Sequence, residues 1–391
     1  MSVAVHERFI RITKREIHRI AKNPVYLFCM IIAPLFCYFF FTTLMSEGLP
    51  VNLPMGVVDL DNTSTTRSII RNLDAFQQTQ VTAQYNSFNE ARKAVQRGEI
   101  YAFYYIPEGT TEEAIAGRQP KVSFYTNYSF LIAGSLLYRD QRMMTELASG
   151  SIGRAQLYAR GATEKQAMGF LQPIVIDTHA LNNPWINYSV YLCNTLLPGI
   201  LMLLIFMTTT YSLGCEIKEN SAKELMKMAD NSIVTALMGK LLPQTAIFML
   251  MILFADIYLY GFLHYPCNGG ILPILFAGLL LVLSSQAVGI FFFGMLGSLR
   301  LALSASCLWG VISFSISGFT VPVMAMHPSL QALSNLFPLR HYFLLYVNSA
   351  LNGYPLIYAW HSVIALLLFL LLPFVVLKRL RNAMLHYVYI P

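Results

Sequence analysis

The chain has 391 residues, 55% of them apolar and only 12% charged, with a net charge of +7 and a mean hydropathy of +0.52. Soluble domains average about 25% charged residues, so an ordinary soluble enzyme is excluded, and so is a disordered chain, which needs low hydrophobicity. The basic balance is not that of a nucleic-acid binder, because the basic residues cluster beside apolar spans, as they do at a membrane rim.

In chain order, residues 1–24 hold six basic residues: Arg8, Arg11, Lys14, Arg15, Arg19 and Lys22. At helical spacing Arg8, Arg11, Arg15, Arg19 and Lys22 fall on one face, and Phe9, Ile12, Ile17 and Ile20 gather nearer the other. That predicts an amphipathic helix lying in the inner headgroup plane; a solvated charged arm fits the same residues. Asn23-Pro24 ends it and redirects the chain. Residues 25–45 form the first of six stretches long enough for a hydrocarbon core of ~30 Å, which takes about 20 residues. The others are 190–213, 241–263, 271–297, 301–326 and 355–377. Asp256 is the only Asp, Glu, Lys or Arg in all six, so they read as membrane helices. Asp256 either pairs across helices or reaches toward the outer interface. No small-x-small cleavage site follows the first stretch, which reads as a retained anchor.

Residues 46–189 are long enough for one domain. Their charge is balanced, and none of the six cysteines falls among them, so the domain folds without disulfides. Met55–Asp59 reads as a buried strand. Asp61–Ser64 is a turn and cap before a helix through Leu73. Ser87-x-x-Glu90 is a capping box before Ala91–Arg97, and Gly98 stops that helix. Tyr101–Ile106 and Val122–Tyr125 read as strands, Phe130–Tyr158 as a long helix, and Ile174–Thr178 as a last strand. Strands alternating with helices predict a small α/β domain.

Trp185 and Trp360 stand at the outer ends of their spans, as interfacial aromatics do. Between the fifth and sixth spans, Ser317–Asn348 is too polar and too broken by Pro322, Pro328 and Pro338 to cross. It suits short helices dipping into the outer leaflet, where broken backbone must pack against protein or line a cavity. Basic residues set the orientation. Residues 1–24, the loop 214–240 (Lys218, Lys223, Lys227, Lys240), Arg300 and the tail 378–391 (Lys378, Arg379, Arg381) share one side, whereas the short loops opposite hold only Arg340. Both termini are therefore expected in the cytoplasm and the long insert outside.

The chain lacks a phosphate-binding loop, a nucleophile elbow and a metal-ligand motif. In the loop, Ser221-x-x-Glu224 reads as a capping box starting a helix at Ser221, and Glu219 and Lys223 as an i,i+4 pair. Leu225, Met226 and Met228 offer an apolar face beneath the membrane. Such a helix is a handle for a soluble partner; an ordinary solvated loop fits the same residues.

Taken together, the chain resembles a permease subunit of the ABC-2 type exporters, in the multidrug-efflux-like branch with a large extracytoplasmic domain after the first span. Arg15-Glu16 through Asn23-Pro24 resembles the family's N-terminal "RKE…RDP" segment, and Val57–Asn62 the "VVDxDxS" start of the outer domain. Ala91–Gly98 with Ile106-Pro107 resembles its "A…GxxxxxxxIP" passage. Asn183-Pro184 and Pro198-Gly199 resemble the approach to the second span. Glu216–Glu224 with Gly239-Lys240 resembles the coupling loop, and Ser317–Pro322 with Pro328 and Pro338 the C-terminal signature. Three positions depart: the Gly-Thr before the loop glutamate is Ser221-Ala222, the following proline is replaced near Ala229, and the outer Met-Pro is His327-Pro328.

The resemblance implies an α-helical membrane protein of six transmembrane helices in the cell (inner) membrane, with cytoplasmic termini, an α/β extracytoplasmic domain between helices 1 and 2 and a re-entrant segment between helices 5 and 6. It implies a permease, not an enzyme, with no cofactor in this chain; ATP-Mg is handled by a partner ABC ATPase. The other implied partners are a second permease copy or paralogue, membrane lipid and a periplasmic adaptor, and no nucleic acid. Cargo would be a hydrophobic or amphipathic compound, drug-like or lipid-like, leaving the cytoplasm or inner leaflet. The implied ATPase-coupling residues are Glu216, Lys218, Glu219, Ser221, Ala222, Glu224, Leu225 and Lys240, with Glu224 best placed to meet the motor. The implied path or outer gate is Asn194, Ser317, Gly318 and Pro322. The departures imply a motor contact of its own kind, as in the divergent half of a heterodimer. Two rivals remain: an ion-coupled secondary transporter, which predicts internal repeats and several intramembrane acids, and a membrane-anchored receptor or scaffold using the outer domain.

Overall fold

Asn23 takes an extended conformation and its side chain accepts the Val25 N–H at 2.9 Å. This cap lets Pro24, which has no N–H to lose at a first helical position, open a new helix directly after the old one. In the computed structural model, which describes residues 2–179, 181–184 and 186–386, α1 (Ser2–Lys22) therefore passes at once into α2 (Pro24–Leu44). The chain then divides into two units, residues 1–46 with 181–391, and residues 47–180.

The first unit is an α-helical membrane body. Among the described residues, six of its helices are long and apolar enough to cross a bilayer: α2, α8 (Tyr188–Lys218), α10 (Ile233–Phe262), α11 (Ile271–Leu296), α12 (Leu299–Ile316) and α15 (Leu356–His386). α11 is the most enclosed, packing against α8, α10, α12 and α15. Lipid gives apolar helices no reason to associate, so polar bonds and close packing do that work. Thr210 bonds Ser306 at 3.0 Å, Thr245 bonds Gln286 at 2.9 Å and Tyr260 bonds Asn194 at 2.9 Å, each pair joining two of these helices.

Four of the six spans differ from those expected. The fifth span ends at Ile316, ten residues before Met326, because Ser317–Val321 forms no helix and Gly318 turns the chain at φ +101°. The second and third helices overrun their apolar stretches, to Lys218 and from Ile233. The sixth is interrupted at Leu370–Leu371. Past the turn come α13 (Pro328–Ser334) and α14 (Pro338–Tyr346), each with proline in its first turn. His327 caps α13, its side chain accepting the Ser329 N–H. Leu339, Tyr342, Leu345 and Tyr346 bury α14 against α11 and α15. Trp360 is half-exposed at the start of the last long helix, and Trp185 lies outside the described residues.

α1 does not present its basic residues as one free face. Its buried stripe is Ile12, Glu16 and Ile20, while Ile17 is exposed and Arg15 and Arg19 turn inward. The helix packs along the start of α10, where a Cβ on Gly239 would stand 2.9 Å from Ile12.

The second unit is an α/β domain. Its sheet has the order β2-β1-β3-β4, where β1 is Leu53–Asp59, β2 Thr79–Gln84, β3 Ala102–Ile106 and β4 Ser123–Thr126. β1 is parallel to both neighbours and β4 antiparallel to β3. β1 is a continuous apolar run because both faces are covered. α3 (Ser64–Asp74) and α6 (Leu131–Ala159) pack on Met55, Val57 and Tyr104, and α4 (Phe88–Gln96) packs on Val58 and Phe103. Ile174–Thr178 is not a strand: Ile174, Val175 and Ile176 are more than three-quarters exposed. A short apolar run does not by itself supply a pairing partner. β2 was hidden because its residues are mostly polar, as suits an edge. The capping box at Ser87 is half formed: Ser87 accepts the Glu90 N–H, but Glu90 accepts from Asn86 instead of Ser87. α5 (Thr110–Ile115) and α7 (Glu164–Leu171) complete the domain.

Candidate functional site

α8 ends in a polar turn. Asn220 takes a left-handed conformation at φ +55°, which small amide side chains tolerate, and α9 (Ala222–Met228) starts in a new direction. The helix begins where expected, yet no capping box forms. Ser221 makes no cap bond and instead donates to Glu216 Oε2 at 2.6 Å. Glu219 and Lys223 do not pair either, because Glu219 lies in the turn after α8 and Lys223 on α9; Glu219 accepts from Arg19 at 2.6 Å.

The apolar face of α9 is not offered to a partner. Leu225 and Met226 are fully buried, Ala222 nearly so, and Met228 is half-buried, all in the cluster that holds α1, α10 and α15 together. The free face is the charged one: Lys223, Glu224 and Lys227 are exposed, as is Lys218 at the end of α8.

Behind α9 lies a buried ionic cluster. Glu216, Glu16 and Lys240 each show 0% exposure. Arg15 grips Glu216 with two guanidinium nitrogens at 3.0 and 2.9 Å, and Arg19 adds a third bond at 2.6 Å. Lys240 donates to Glu216 at 2.7 Å and to both oxygens of Glu16 at 2.8 and 2.9 Å, so its three protons have three acceptors. Ser212 extends the network from Glu16 to Gln244. Three cations (Arg15, Arg19, Lys240) thus meet three anions (Glu16, Glu216, Glu219). Burial alone would lower the basicity of Arg15, but its bonds and attraction to Glu216 outweigh that and hold its guanidinium above the usual value. A forked Arg–carboxylate pair is directional as well as strong, so the cluster fixes α1, the end of α8 and the start of α10 at one angle.

Glu216 and Lys240, expected to meet a motor, are therefore interior residues. Glu16 was not singled out in the sequence; the available signal was its position between Ile12 and Ile20 on the buried stripe of α1. Asn194 is buried beside Tyr260, Ser317 returns its hydroxyl to the Phe314 carbonyl at 3.1 Å, and Pro322 is exposed.

No curated protein matches the chain. A model of the ABC-2 family transporter protein matches residues 24–377, from the first helix able to cross a membrane to within the sixth. That match, with six long apolar helices, makes the chain a multi-pass membrane protein and a transport component, and the family implies an ABC ATPase as partner. The chain belongs to the ABC-2 family of transporter permeases.

Proposed function

We propose that this chain is the membrane half of an ATP-driven exporter, with the ATPase docking on the exposed face of α9. The supporting observation is the geometry of Glu216. It stands behind the exposed Lys223, Glu224 and Lys227 and is bonded at once to α1, α9's first residue neighbour Ser221, and α10. A push on α9 is therefore carried to three helices together, as a rigid-body shift of packed elements. In this reading both termini and α9 are cytoplasmic, in the inner membrane, and residues 47–180 lie outside, where they accept cargo, dock a periplasmic adaptor or cap the path. Two permeases, identical or paralogous, enclose that path, and the cargo is a hydrophobic or amphipathic compound of drug or lipid type. Asn194, Ser317, Gly318 and Pro322 belong to its outer half.

The test is Glu224→Arg in the purified permease–ATPase complex. Glu224 has no partner among the described residues, so the permease itself should melt unchanged, within about 0.5 kcal/mol. Affinity for the ATPase should fall about tenfold, or about 1.4 kcal/mol, with ATP turnover falling alongside. Unchanged affinity and turnover would exclude α9 as the dock. Cargo movement driven by an ion gradient without any ATPase would sink the reading as a whole.

A further inference from the structure

The acid in the spans is buried and has no ion-pair partner among the described residues. Asp256 is 5% exposed, and its Oδ2 has no hydrogen-bond partner. It lines a cavity of about 20 Å³ among α2, α8, α10, α11 and α14, room for one water-sized occupant.

The other polar groups of that cavity are oxygens. Asn194 is 2% exposed and spends its Nδ2 on the Val190 carbonyl at 2.8 Å, which leaves Oδ1 toward the cavity side, where it accepts from Tyr260 at 2.9 Å with a second lone pair in hand. Pro198, also in the lining, has no N–H to donate to the Asn194 backbone carbonyl one turn earlier. Tyr38 and Tyr342 bring two more phenols, and no Lys, Arg or His lines it among the described residues. Asp256 itself stands at the last α-helical position of α10, where the helix widens into a π segment over Ile257–Phe262. Such segments loosen backbone carbonyls and recur at functional sites.

A carboxylate buried without a counter-charge is uncompensated. Here the lining offers acceptors, one negative charge and space for one small particle. We propose that the Asp256 cavity binds a single monovalent cation of sodium size, held by the Asp256 carboxylate, Asn194 and the phenol oxygens. A divalent ion is disfavoured, because calcium-type sites take several carboxylates and no group of three His, Cys, Asp or Glu side chains exists among the described residues. The ion would tie α8 to α10 at the point where both are irregular, much as broken transporter helices hold ions between them.

The test uses the full chain purified in detergent, with no ATPase, so it is independent of the docking reading. Sodium chloride replaces choline chloride at constant ionic strength. The melting temperature should rise saturably with sodium, because a ligand bound only by the folded state stabilises it, and radioactive sodium should be retained at one ion per chain. Asp256→Asn keeps shape and removes the charge; it should melt at or above the wild type in choline and lose both responses, and Asn194→Ala should weaken them at least tenfold. The proposal is overturned if the wild type shows no sodium-specific rise and no retained sodium, if Asp256→Asn responds equally, or if melting follows pH alone, which would make the occupant a water on a protonated acid. Should Asp256→Asn fail to fold, retention by the wild type and its loss in Asn194→Ala decide.

Discussion

Lys240 shows how much one side chain can hold. Removing a single member of a buried charge cluster leaves its partners unpaired and costs about 3–5 kcal/mol, far more than the about 0–1 kcal/mol of a surface pair such as Arg142–Glu146. Lys240→Met should accordingly lower the melting point of the purified permease sharply. Glu16→Gln combined with Lys240→Met removes one charge of each sign, so the double variant should be less damaged than the sum of the singles, by about 0.5–3 kcal/mol in a double-mutant cycle. Strict additivity would mean that the two groups do not interact. In the α/β domain, Asp61 behaves differently. Burial pushes its carboxyl up, but the Thr111 hydroxyl and N–H and the Thr63 hydroxyl donate to it and win, so it sits below the ordinary carboxylate range. A lowered value contributes stability that is complete above the unfolded value, near pH 4, and is lost as pH falls through the folded one. Amide protection at β1 and α5, corrected for the intrinsic exchange rate, should therefore fall below about pH 4. In Thr111→Val, which removes one of those donors, the acid-dependent loss should be smaller.

Among the elements, α1 is the one whose placement sequence periodicity misjudged. Counting Arg8, Arg11, Arg15, Arg19 and Lys22 as one face is correct geometry for an isolated helix. It fails here because the body supplies partners: Glu216 draws in two of those arginines, and Gly239 lets Ile12 settle against α10. Gly239→Val should force the helices apart, at about 1–3 kcal/mol for overpacking, and a thiol reagent should then reach a cysteine placed at Ile20, on the buried stripe but outside the charge cluster, in folded protein. An unchanged melting point with no new reactivity would show that α1 is held by its arginines alone. The same distinction governs α9. Its start at Ser221 was legible from the residue types, but the capping box was not realised, since Ser221 had a stronger acceptor in Glu216.

For the whole molecule the prediction concerns sidedness. With the basic residues of 1–24, 214–240 and 378–391 retained inside, a cysteine at Lys223 should react with a membrane-impermeant maleimide only after permeabilisation. One at Glu112 in the α/β domain should react in intact cells. The reverse pattern would invert the proposed architecture and remove α9 from any cytoplasmic motor.

Membrane helices are local decisions. Each span must satisfy its own backbone in lipid, so length and hydropathy are enough, and the six spans, the α/β pattern of Met55–Tyr158 and the family resemblance all follow from residues taken a window at a time. Pairings between distant segments are another matter. That Glu16, Glu216 and Lys240 share one buried cluster, that Leu225 and Met226 face inward, that Asn194 and Asp256 border one cavity and that Ile174–Thr178 finds no sheet partner were decided only when elements far apart in the chain came into contact. A side chain's pattern in sequence states what it can bind; the fold alone sets which partner lies within the ~3 Å that a hydrogen bond requires.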